Sequence, residues 1–142
     1  MTLSSPAFAD GSRIPSLYTC DGANSIPPLV IGDVPPETKS FVLICFDPDS
    51  PSGNWDHWVA YDIPAETREI KSEVGTQGVN SWGELGYGGP CPGEGEHRYI
   101  FQIYALDEMM GMEGGATRPA VEQAMRGHAL IKAEVMGRYI KK

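Results

Sequence analysis

The run Ser40-Phe41-Val42-Leu43-Ile44-Cys45-Phe46 lies between Lys39 and the Asp47-Pro48 breaker. A segment this short and this continuously apolar reads as a strand covered on both faces. The chain must therefore place material on two sides of a sheet. Arg98 to Leu106 is a companion strand, with every odd position apolar and the even positions mixed. His57 to Ile63 alternates and stops at Pro64, and Pro28-Leu29-Val30-Ile31 makes a short strand. Ala129 to Ile140 supplies a last one, with Lys132, Glu134 and Arg138 on one parity. A single segment reads as helix. Thr117 caps it, Pro119 fits its first turn, Ala120, Val121, Ala124 and Met125 share a face, and Gly127 ends it.

Strands outnumber helices, and composition agrees. Among 142 residues there are 17 glycines and 12 prolines, well above average usage. Interior Gly and Pro cost about 1 and 3 kcal/mol each in a helix, which excludes a helical bundle. The expected object is a single mainly β domain over residues 1–142, an antiparallel sandwich or another β-rich fold with one short peripheral helix and long ordered loops. The net charge of −8 disfavours nucleic acid and anionic membrane as partners. No apolar stretch is long enough to span a bilayer, and the N-terminus lacks the pattern of a signal peptide. Cys20, Cys45 and Cys91 are an odd, well-spaced set that fits neither a metal motif nor a disulfide framework. The simplest expectation is a cytoplasmic protein with reduced thiols; a periplasmic mature form stays open.

Two stretches exceed what a connection needs. Residues 47–56 contain Asp47-Pro48-Asp49-Ser50-Pro51 and Trp55-Asp56, leading into His57. Pro48 keeps Asp47 extended and fixes where its carboxylate points, and a partly buried carboxylate at a strand end needs a partner. Asp49 and Ser50 suit a braced turn. Residues 72–97 end in Gly86-Tyr87-Gly88-Gly89-Pro90-Cys91-Pro92-Gly93-Glu94-Gly95-Glu96-His97. Successive glycines let backbone N–H groups converge on an anion. His97 and Tyr99 share a strand face. A lone histidine near a strand end is more often structural. Two of them, each at a loop–strand junction among Gly, Pro and aromatic residues, suggest a site.

The segments Asp47–Pro51, Asp56-His57-Trp58, Gly89-Pro90-Cys91-Pro92 and His97-Arg98-Tyr99 resemble those of the phosphatidylethanolamine-binding protein (PEBP) family, also called Raf kinase inhibitor-like proteins. Ser5-Pro6-Ala7-Phe8, Tyr18-Thr19-Cys20-Asp21-Gly22, Pro27-Pro28-Leu29, Tyr104-Ala105-Leu106 and Gly127-His128 resemble its short prokaryotic branch, in the same order along the chain. The resemblance implies a large central antiparallel sheet packed on a smaller one, and a small anion pocket at one sheet end. It implies that Asp47, His57, His97 and Tyr99 line the pocket, with Trp55 as aromatic wall and Gly88, Gly89 and Pro90 as rim. Arg98 points to the other face. Cys91 replaces a second pocket proline, Asp56 replaces a further histidine, and the long C-terminal helix of eukaryotic members is missing. A more open site is therefore expected. The implied partners are a phosphoryl or carboxylate anion, a protein kinase or serine protease, and a second copy of the chain.

Recognition without turnover is the expected function: His57 and His97 donate ring N–H groups, Gly88 and Gly89 donate backbone N–H groups, and Asp47 orients a histidine. No metal or cofactor is expected. Surface inhibition of a kinase or protease is the first alternative. The second is a low-activity hydrolase built on Cys91 with His97, or on Ser50 with His57 and Asp47, although neither set has a nucleophile elbow. His57, His97, Asp47 and Asp49 are also metal-ligand types, but without zinc spacing.

Overall fold

The computed structural model describes every residue from Met1 to Lys142. Eight strands and one α-helix follow in the order β1 (Thr2–Ser4), β2 (Leu29–Gly32), β3 (Ser40–Asp47), β4 (Trp55–Pro64), β5 (Glu69–Ile70), β6 (Thr76–Gln77), β7 (Glu96–Leu106), α1 (Arg118–Met125) and β8 (Ala129–Ile140), with a 3-10 turn at Ser16–Tyr18. They build two antiparallel sheets, a small one in the order β1-β2-β5 and a large one in the order β6-β4-β3-β7-β8.

The apolar run of β3 has the cover it requires. Phe41, Leu43 and Cys45 face one core, with Trp58, Ala60, Phe101 and Ile103 beside them and Leu3, Leu29, Ile31 and Ile70 of the small sheet opposite. Val42, Ile44 and Phe46 face a second core with Val59, Tyr61 and Leu106, closed by Val121 and Met125 of α1. Every β3 residue is buried. Thr117 caps α1 by accepting the Ala120 N–H at 3.4 Å, and Pro119 sits in the first turn. Arg118 docks this helix end: its guanidinium lies 4.1 Å from the Phe46 ring centroid and 3.1 Å from the Asp56 carboxylate. Asp56, the residue before His57, is thus turned away from His57 and holds α1 to the back of the sheet.

The β3–β4 ladder slips twice. Cys45 pairs with Trp58 and Phe46 with Asp56, so His57 is an extra residue, and a second slip places Tyr61 and Asp62 opposite Val42. Bulges of this kind bend a strand and re-aim side chains. At the second, Asp62 takes a left-handed conformation, φ 51°, and its carboxylate accepts the Met110 and Gly111 N–H groups at 2.7 and 2.9 Å. No helix is long and apolar enough to cross a membrane.

Candidate functional site

Register brings the sequence candidates together. Asp47 ends β3 opposite Trp55, and the β3–β7 ladder, which pairs Phe46 with Ile100, runs toward Tyr99 at the next step. His97 lies two residues before Tyr99 and so on the same face. The bulge turns His57 onto that face as well, where its ring meets Tyr99 edge-on at 5.1 Å. Asp47, His57, His97 and Tyr99 are all buried, with exposures of 4, 3, 9 and 1%. The expected open site is therefore a closed one. The segments 16–24 and 80–91 lie over this end of the sheet and do the covering.

The hydrogen bonds assign the protons. Asp47 Oδ1 accepts the Asp49 N–H at 2.7 Å and Oδ2 accepts from His97 Nδ1 at 2.6 Å. His97 Nε2 faces the Glu94 carbonyl at 3.2 Å. A carboxylate and a carbonyl only accept, so both His97 ring nitrogens are directed at protein acceptors, and Nδ1 donates to Asp47. His57 Nδ1 donates to the Gly88 carbonyl at 2.6 Å. Burial pushes the His57 pKa down, against the upward pull of the Gly88 carbonyl and the Asp47 charge. At neutral pH its Nε2 therefore carries a lone pair. The Tyr99 hydroxyl is buried with no hydrogen-bond partner. Burial, then the Asp47 charge, push its pKa far up; the nearby Cys91 amide favours the phenolate slightly but makes no hydrogen bond to it.

Several expected donors are already engaged. The Gly88 N–H donates to the His57 carbonyl at 2.9 Å and the Gly89 N–H to Asn24 Oδ1 at 2.9 Å. Both His97 ring nitrogens face protein acceptors. The glycines serve close approach instead: a Cβ on Gly88 would lie 2.5 Å from the Trp82 ring, and one on Gly89 would collide with Asn24 and the Tyr18 carbonyl. Pro90 is buried and its carbonyl accepts the Cys20 N–H at 3.1 Å. Arg98 points to the opposite face and forks onto Asp49 at 2.9 and 2.8 Å, holding that carboxyl at about 2. The turn is thus pinned from both sides of the sheet, by Asp47 to His97 and by Asp49 to Arg98. The one sizeable cleft, about 280 Å³, lies on the Arg98 face among Asp10, Arg98, Ile100, Glu134 and Met136. It shares no lining residue with the cluster of Asp47, His57, His97 and Tyr99.

The arrangement also bears on catalysis. Cys91 is joined to Cys20 in a disulfide, so it is no thiolate nucleophile. Ser50 bonds Ser52 at 3.2 Å, and Asp47 bonds His97 rather than His57. Asp49 is held by Arg98, away from any shared ligand point with the histidines.

The sequence profile of the phosphatidylethanolamine-binding protein family matches residues 4–140. The chain belongs to the phosphatidylethanolamine-binding protein family. Relatives named UPF0098 protein are 47% identical in Methanothermobacter thermautotrophicus, over 98% of both chains, and 46% identical in Aquifex aeolicus, over 98% of this chain and 88% of the relative. A solved PEBP homolog from Chlamydia trachomatis superposes with a TM-score of 0.96 at 42% identity, covering 99% of this chain and 97% of that one. YbcL of E. coli, described as a member of the mammalian PEBP family, gives 0.89 at 28% identity, covering 99% and 98%. Membership supports a ligand-binding role.

In this PEBP chain the disulfide corrects one expectation. Cys20 and Cys91 are bonded, with Cα atoms 5.4 Å apart and 71 positions apart in sequence. Only Cys45 is a free, buried thiol, and burial raises its pKa. The bond clasps the site's rim, where Tyr87 also donates to the Tyr18 carbonyl at 2.9 Å. A cytoplasmic location argued from reduced thiols loses that basis. Trp82 is a site residue that sequence reading missed. Its ring lies edge-on to His57 at 4.8 Å and to Trp55 at 5.6 Å, with the side of the indole open to solvent. A tryptophan in the otherwise polar stretch Asn80-Ser81-Trp82-Gly83-Glu84 was the available signal. Asn80 braces that loop, accepting the Trp82 and Glu84 N–H groups at 3.0 and 3.1 Å and donating to the Gly86 carbonyl at 3.1 Å.

Proposed function

We propose that this site binds a small phosphoryl or carboxylate anion and releases it unchanged. The observation that carries the reading is the Tyr99 hydroxyl, buried without a partner, on a ring that meets the His57 ring edge-on at 5.1 Å. A buried hydroxyl left unpaired costs about 1–3 kcal/mol, and an incoming oxygen relieves that cost. The short His97–Asp47 hydrogen bond gives the site structure. An arriving anion raises the proton affinity of His57. His57 then takes a proton on Nε2 and becomes the second donor. Two donors on one buried face suit one or two oxygens of a phosphoryl group. The absence of an assembled nucleophile–base pair supports binding over turnover.

Calorimetric titration with inorganic phosphate, phosphorylethanolamine and acetate tests this. Tyr99→Phe deletes only the hydroxyl, and a hydrogen bond to a charged group is worth about 1.5–3 kcal/mol. Affinity is expected to fall by at least about tenfold. Equal affinity in wild type and Tyr99→Phe refutes the assignment.

Surface inhibition of a kinase or protease is the second reading, favoured by the exposed apolar side chains of Leu85, on the covering segment 80–91, and Met109, in the loop after β7. Inhibition in an enzyme panel that survives Tyr99→Phe but not Leu85→Ser or Met109→Ser supports it.

A further inference from the structure

Binding at Tyr99 and His57 requires a way in, because neither side chain is open to solvent. Three rings stand in a row: Tyr99, then His57 at 5.1 Å, then Trp82 at a further 4.8 Å, each contact edge-on. Trp82 is the outermost and is 45% exposed, whereas His57 beneath it is 3% exposed. The indole is held by ring contacts, while its backbone is fixed by Asn80. Exposed side chains change rotamer in picoseconds to nanoseconds without backbone motion. Gly88 completes the fit, since a Cβ there would stand 2.5 to 3.2 Å from three atoms of the indole.

We propose that Trp82 is the access-controlling residue of the site: its indole closes over His57, and an anion enters by displacing it. This rests on the binding reading for its occupant, but not for the cover itself. Gly88 is then a glycine because the closed indole needs the room. Its backbone is not in the left-handed region, so alanine fits there and acts as a wedge under the ring.

The cover can be tested with no ligand at all. Diethyl pyrocarbonate acylates an unprotonated imidazole nitrogen, and the chain has only 3 histidines to map by peptide mass. His128 lies near the far end of β7, bonded to Asp107 and Glu108, and serves as the internal reference. Expected is slow labelling of His57 in wild type and a rate about tenfold higher in Trp82→Ala. A rise is also expected in Gly88→Ala, where the indole is present but pushed aside. His128 labels equally in all three. Added phosphorylethanolamine slows His57 labelling in wild type and variants, and shifts the fluorescence of a Trp55→Phe chain, where Trp82 is the remaining exposed indole. Equal His57 labelling in all three chains overturns the access role. Faster labelling in both variants without any ligand effect keeps the cover and removes the anion reading. Should Trp82→Ala unfold, seen by circular dichroism, Gly88→Ala decides.

Discussion

Asp47→Asn probes the centre of the site. The Asp47 carboxylate serves two donors at once, the Asp49 N–H at 2.7 Å and the His97 ring at 2.6 Å. An asparagine has one oxygen and one NH2 group, so one of the two donors must face another donor. The His97 ring, its side chain 11% exposed, also loses its carboxylate partner. Breaking a buried pair by deleting one partner costs about 3–5 kcal/mol. Asparagine keeps the shape and one bond, which leaves about 2–3 kcal/mol, the worth of a bond to a charged group. Unfolding of 142 residues carries an entropy of roughly 300 cal/mol/K, at about 2.1 cal/mol/K per residue. The melting temperature should therefore fall by about 7–10 °C. Scanning calorimetry at pH 7 measures it, with His97→Gln and the double variant completing a cycle. The single losses should not add, and a coupling of about 1–3 kcal/mol is expected. A melting point within about 2 °C of wild type, or additive losses, refutes the Asp47–His97 contact as the brace of this turn.

Three further outcomes follow from particular contacts. Reducing Cys20–Cys91, or replacing both with serine, releases a loop of 71 positions and should cost about 4 kcal/mol by loop entropy; calorimetry with and without a dithiol reads it, and an unchanged melting point contradicts the clasp. The Asp49 carboxyl is lowered from 3.8 to about 2 by the Arg98 fork. Being a depressed acid, it stabilises fully above pH 3.8 and loses that contribution as pH falls toward 2. Solvent screens this exposed pair, and Arg98→Ala should flatten that limb of an acid denaturation curve. Burial lowers the His57 pKa in the fold, and the proposed binding of an anion should raise it again. Sulfate, whose charge is fixed between pH 6 and 8, should bind more tightly at pH 6 than at pH 8. His57→Gln should erase that difference, measured by calorimetry.

The long elements were legible because their cover leaves a pattern. β3 is apolar throughout since both cores need it, β7 alternates more openly, and the capping signals of α1 lie within a few residues of each other. β4 was readable from His57 onward; its true start at Trp55 was hidden by the bulge, which breaks the period of two just where His57 is re-aimed. The two- and three-residue strands β1, β5 and β6 are too short for any periodicity. In the site, the chain order of Asp47, His57, His97 and Tyr99 was enough to suspect a common face. Which N–H groups were free was not readable. Gly88 and Gly89 look like anion donors in sequence, yet His57 and Asn24 take their protons, and Asn24 is distant along the chain. The Cys20–Cys91 bond was hidden for the same reason, since an odd cysteine count and a long separation give no hint of two loops meeting.

The most direct test is a crystal structure of the chain soaked with phosphorylethanolamine. The account predicts phosphoryl oxygens within hydrogen-bond distance of Tyr99 Oη and His57 Nε2, with Trp82 swung out and the Asp47–His97 contact intact. Phosphoryl density seated at Arg98 on the opposite face, with Tyr99 still unpartnered, would contradict it.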